Sequence, residues 1–111
     1  MSGNKQITVI SVDPGKEPRV VKVALGLESL QREVEGYIES IYPFNDPVAI
    51  LVDEEGILKC KPFNRAIRDR RGNMLRLYGK FLVVGVGSSD FASLTPDLVQ
   101  KYTDVFKSSQ V

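Results

Sequence analysis

Histidine does not occur anywhere in the 111 residues. That removes the commonest general base, the Ser–His and Cys–His nucleophile pairs and the commonest zinc ligand. One cysteine, Cys60, is present, so neither a disulfide framework nor a Cys/His metal site can be assembled within one chain. Without a histidine partner, Cys60 is expected to be an inert, partly buried thiol, and its solitude fits a reducing compartment. No apolar run approaches the ~20 residues that a bilayer span needs. Residues 1–6 lead straight into a strand-like segment and lack the shape of a signal peptide. A cytoplasmic protein with no membrane partner is expected. Carboxylate chemistry and a carboxylate-held Mg²⁺ survive these exclusions, but no catalytic residue, cofactor or metal is assigned.

Internal repeats and low-complexity linkers are also missing, so residues 1–111 are read as one domain, a length that closes a single core. The net charge is near zero, yet its distribution is uneven. Residues 1–58 carry five Lys/Arg against ten Asp/Glu, whereas residues 59–80 carry eight Lys/Arg (Lys59, Lys61, Arg65, Arg68, Arg70, Arg71, Arg76, Lys80) against Asp69. Concentrated basic charge of this kind is either a solvated face, paired with the acidic half, or an anion-binding surface.

β-branched residues at 6–12 and 19–24, separated by Asp13-Pro14-Gly15-Lys16, predict a hairpin. Leu27, Leu30 and Val34 mark one helix face, with Gly36 as a left-handed cap. A β segment over 37–42 follows, although Ile38 and Ile41 would also continue the helix. The apolar run 48–52 predicts a central strand covered on both faces. Asp53-Glu54-Glu55-Gly56 reads as a water-exposed turn, and 57–60 as the return strand of a hairpin. Phe63, Ala66 and Ile67 fall at helical spacing, predicting a short helix or 3₁₀ turn within 62–70. Residues 74–78 and 81–86 read as strands. Gly79, Gly85 and Gly87 lack the offsets of a dinucleotide fingerprint and fit bulges or strand ends. Thr95 as N-cap, Pro96 at the first position, Asp97 in the first turn and a Leu94/Val99 staple open a C-terminal helix. Its apolar stripe is Leu98, Val99, Tyr102, Val105 and Phe106. The order predicts an α+β fold: a mixed or mostly antiparallel sheet with a short helix near 27–35 and a C-terminal helix near 96–107 packed on it.

The run Leu27-Glu28-x-Leu30-Gln31-x-x-Val34-x-Gly36-Tyr37-Ile38-Glu39, followed by Glu54-Glu55-Gly56, Pro62-x-Asn64-Arg65-Ala66, Gly72 and Asp90-Phe91-x-Ser93-Leu94-Thr95, resembles an uncharacterised family. Its members are small phage, plasmid and bacterial proteins that share a domain of unknown function, and the resemblance extends from about residue 7 to Phe106. It implies a mobile-element context and brings no assigned activity. Members often have Asn where this chain has Asp53, which would change what is bound if that position contacts a ligand.

Candidate ligand-binding residues are Asn64, Arg65, Arg68, Glu39, Glu54 and Tyr37. Arginine offers a planar, permanently charged fork for phosphate oxygens, and Asn supplies both donor and acceptor for a base or ribose. Glu39, on a sheet face, is placed to accept from Asn64 or Arg65. Tyr37, Tyr42, Phe44, Phe63 and Tyr78 are candidates for stacking or for the core. The expected function is non-catalytic: binding and sequestration of a phosphorylated nucleotide-like ligand by a phage-type homo-oligomer, by analogy with phage proteins that soak up nucleotide immune signals. The alternative is an accessory factor that binds and inhibits a host protein or a nucleic-acid-processing enzyme. Direct nucleic-acid binding is disfavoured by the near-neutral total charge. A third class, an enzyme using Glu39 or the 53–55 carboxylates, stays open.

Overall fold

The computed structural model describes residues 5–108, so the leader reading of residues 1–4 lies outside the described residues. In chain order the elements are β1 (Gln6–Val12), β2 (Arg19–Ala24), α1 (Leu27–Val34), β3 (Ile38–Ile41), β4 (Val48–Asp53), β5 (Phe63–Arg68), β6 (Met74–Tyr78), β7 (Phe81–Val86), β8 (Phe91–Ala92) and α2 (Pro96–Ser108). The main sheet runs β2-β1-β7-β4-β3 with β8 beside β7, and every pairing is antiparallel. β5 and β6 form a separate hairpin. The fold is α+β, as the sequence predicts.

β7 is central because it can be apolar on both faces. Phe81 and Val83 point to one side with Ile10, Val12, Val48 and Ile50, where they meet Tyr102 and Phe106 of α2 and Ile67 and Leu77 of the β5–β6 hairpin. Leu82 and Val84 point to the other side with Ile7, Val9, Ala49 and Leu51, where Leu30 and Val34 of α1 cover them. The sheet is thus covered by α1 on one face and by α2 plus a hairpin on the other. The stripe of Leu98, Val99, Tyr102, Val105 and Phe106 faces the sheet, as its spacing requires. At Gly85 a side chain would strike the Ala92 and Ser93 carbonyls, so glycine lets β8 close on β7.

Four local readings are corrected. The segment within 62–70 is strand β5, not a helix. A register shift between Phe63 and Arg65 breaks the two-residue alternation, so a bulged strand mimics helical spacing. Residues 57–60 make no return strand; the chain coils through 54–60, with Lys59 N–H donating to Glu55 O and Lys61 N–H to Gly56 O. Cys60 sits there with φ 60° and is exposed, not partly buried. Finally, the left-handed cap of α1 is Glu35, φ 62°. Gly36 is required for a different reason: a Cβ there would land on the Asp53 carboxylate.

Candidate functional site

The bulge in β5 turns two consecutive residues inward. Asn64 is buried and Arg65 has no exposed surface at all. The Asn64 amide donates to Val12 O at 3.0 Å and Gly79 O at 2.8 Å. Arg65 donates from Nε to Phe106 O (2.8 Å), from Nη1 to Asn64 Oδ1 (2.8 Å) and from Nη2 to Lys16 O (2.6 Å). No carboxylate pairs with it among the described residues. Burial pushes its pKa down, and the carbonyl end of α2 supplies compensating negative potential. The pair latches β5 to the end of β1, to the 13–16 turn and to α2. Neither residue presents a donor to an anion at the surface, and Glu39 accepts from neither.

The acidic turn is likewise structural at its first position. Asp53 closes β4 and is buried, not exposed. Its Oδ2 pairs with Lys59 at 3.0 Å and Lys61 at 2.8 Å, and its Oδ1 accepts from Glu55 N–H at 2.9 Å. Burial raises its pKa, but the bonds from Lys61, the Glu55 N–H and Lys59 outweigh that and hold it at about 2. Lys61 also donates to Val34 O and Glu35 O, tying the end of α1 to the same carboxylate. Asp53 therefore anchors two lysines of the basic segment, and Lys80 pairs with Glu33. Part of the basic charge is neutralised by the acidic half in this way.

The remaining candidates separate into three clefts. Tyr37, exposed, borders a wide groove of about 560 Å³ with α1 residues of both charge signs. Glu39 and Glu54 share a small hollow of about 120 Å³ with Arg76 and Tyr78. Arg68 lies in a cleft of about 250 Å³ between the β3–β4 loop, the hairpin tip and α2, together with Phe44, Asp46, Asp69, Arg70, Lys101 and Tyr102. The sequence-predicted residues therefore do not converge on one site.

The third cleft has the charge and shape to hold an anion. The guanidinium groups of Arg68 and Arg70 are each fixed by one bond, from Nη1 to Gly72 O (2.9 Å) and to Phe44 O (3.2 Å), which leaves other N–H groups available. The Asp69 carboxylate is turned into its own loop, accepting from Arg71 N–H and Asn73 N–H. Asp46 accepts from Lys101 Nζ and from the Tyr102 hydroxyl, both at 2.6 Å. Those two bonds hold Asp46 below the usual carboxylate range, while burial, then the bond to Asp46, pushes the Tyr102 hydroxyl up. The Phe44 ring stands 4.7 Å from that of Tyr102. Three cations thus face two carboxylates, beside an aromatic wall. Sequence reasoning named Arg68 and noted Phe44 for stacking, but it placed Tyr102 in the core stripe and passed over Lys101. Their adjacency, with Lys101 one step off the buried stripe, is the signal that α2 borders a polar cleft.

The architecture is an α+β fold whose antiparallel sheet is covered on both faces. A family model for a domain of unknown function, DUF3846, matches residues 7–107, and the chain belongs to that family. No curated protein and no solved structure matches it.

Proposed function

We propose that the protein binds a phosphorylated nucleotide-like ligand, without turnover, in the cleft of Arg68, Arg70 and Lys101. The convergence of these three cations beside Phe44 carries the reading: the arginines suit phosphate oxygens and the ring suits a base or sugar face. At about 250 Å³ the cleft falls below the ~300–1,000 Å³ of whole-ligand pockets. It therefore takes a phosphate and one ring, leaving the remainder of a larger ligand outside. Binding is favoured over chemistry because Asp46 is committed to Lys101 and Tyr102, so the cleft has no idle base. One chain lines the cleft, so occupancy does not depend on self-association. Glu39, Glu54 and Tyr37 take no part. In a phage-type context, tight binding without turnover would sequester a nucleotide signal, an anti-defence role.

A thermal-shift panel of cyclic di- and trinucleotides, ADP-ribose derivatives and NTPs tests this. A ligand at a hundredfold excess over Kd stabilises by about 2.7 kcal/mol, and it should be recovered intact on denaturation. Arg68→Ala and Lys101→Ala should abolish the shift while leaving the unliganded Tm in place. A panel with no shift, or a shift indifferent to both substitutions, would sink the proposal. A second reading, docking on a host protein, is favoured by the adjacent Ile57 and Leu58, 73% and 79% exposed at the tip of the 54–60 coil. Loss of host-protein binding on Ile57→Ser/Leu58→Ser, with nucleotide binding absent, would select it.

A further inference from the structure

The two edges of the main sheet differ. β2 carries Arg19 and Lys22, charges of the kind that discourage strand addition. β3 carries neither lysine, arginine nor proline. Tyr37 O accepts from Glu54 N–H, one step beyond the β3–β4 register of Ile38 with Asp53 and Glu39 with Val52, which makes Glu39 and Ile41 the inward-bonding residues of β3. Antiparallel pairing alternates, so the main-chain groups of Ile38 and Ser40 point away from β4, and no other backbone bond takes them up among the described residues. Immediately inside this edge, on the α1 face, lies a mainly apolar hollow of about 410 Å³ lined by Leu25, Leu27, Leu30, Ile38 and Phe91, with Ser40 and Asp90. α1, eight residues long, is too short to cover it. At the far end of the strand stands Tyr42, 50% exposed.

We propose that the β3 edge is where a second copy of this chain docks, by two-fold antiparallel pairing centred on Ser40, which makes one sheet continuous through two molecules. That register engages the outward main-chain groups of Ile38, Ser40 and Tyr42 together. It sets Tyr42 of each copy opposite Ile38 of the other, on the face of the hollow, so the exposed ring and the uncovered apolar surface meet. Glu39 then opposes Ile41. Centring on Glu39 would instead oppose two carboxylates, which is destabilising. Centring on Ile41 would leave Ile38 unused.

Sedimentation equilibrium at rising chain concentration should show a monomer–dimer equilibrium. Ser40→Pro removes an outward N–H that the native fold does not use, a position where an edge strand tolerates proline. It should weaken dimerisation at least tenfold with an unchanged circular dichroism spectrum. If Ser40→Pro fails to fold, Tyr42→Lys decides, with the same loss expected. Mild oxidation of Ser40→Cys in a Cys60→Ser background should give a covalent dimer, and Glu39→Cys should give far less. A wild type that stays monomeric at millimolar concentration overturns the proposal. So does a dimer that survives both Ser40→Pro and Tyr42→Lys, or one that cross-links better through position 39.

Discussion

Among the described residues, Asp53 and Arg65 are the two charges the fold has taken out of water, and they are stabilised in opposite ways. Asp53 is met by two ammonium groups and an N–H, and its folded pKa of about 2 lies below the ordinary 3.8. A depressed carboxylate contributes stability above its unfolded pKa and loses it as pH falls through the folded value. Thermal unfolding should therefore show about 2 kcal/mol of stability lost between pH 5 and pH 2, and Asp53→Asn should flatten that part of the profile. Arg65 is met by carbonyls, so removing it strands acceptors at Lys16, Phe106 and Asn64. Chemical denaturation should place Arg65→Ala on the order of 3–5 kcal/mol below wild type. Arg68→Ala, at an exposed position, should stay within about 0.5 kcal/mol. Two neighbouring arginines of one strand would thus separate a structural group from a ligand contact.

At the scale of elements, α1 ends where Gly36 lets the chain pass against Asp53. Gly36→Ala should push the carboxylate off its lysines and cost about 1–3 kcal/mol, read as a lower Tm together with loss of the low-pH dependence just described. Sequence patterning revealed β1, β2, β4, β6, β7 and both helices because each follows a clean period of two or of 3.6 residues, or a continuous apolar run. It misread β5 because a bulge puts Asn64 and Arg65 on the same side, and an Asn-Arg pair facing a core contradicts any rule based on polarity. The site was less legible than the fold. Arg68 stood out through charge density, but the cleft also draws on Asp46 in a loop and on Lys101 and Tyr102 in the last helix. More than thirty positions separate Lys101 and Tyr102 from Arg68, and spacing arguments operate within an element. Asp53 was misplaced for a related reason: its partners, Lys59 and Lys61, fold back through a coil that composition reads as a strand.

For the whole molecule, a total charge of +1 conceals a division in which the basic segment is partly consumed internally and partly left at the hairpin tip. The part left exposed includes Arg68 and Arg70, which together with Lys101 of α2 act at short range in open solvent. Raising ionic strength from about 0.01 to 1 M shortens the screening length from about 30 to 3 Å. Calorimetric titration of the bound nucleotide should then show affinity falling roughly tenfold or more, whereas the buried Asp53 pairs should leave Tm nearly unchanged.

The position of β7 has a consequence for how the chain reaches this state. β7 lies between β1 and β4 in the sheet, yet it is made last of the three. Until residue 86 has left the ribosome, β1–β2 and β3–β4 are two separate ribbons, each with one face and one inner edge bare. The Arg65 latch waits longer still, for the Phe106 carbonyl. Because such distant pairings must close before any core exists, folding is slow for a chain of this size. A nascent chain arrested after Lys80, before β7 is made, should therefore be protease-sensitive and dependent on chaperones.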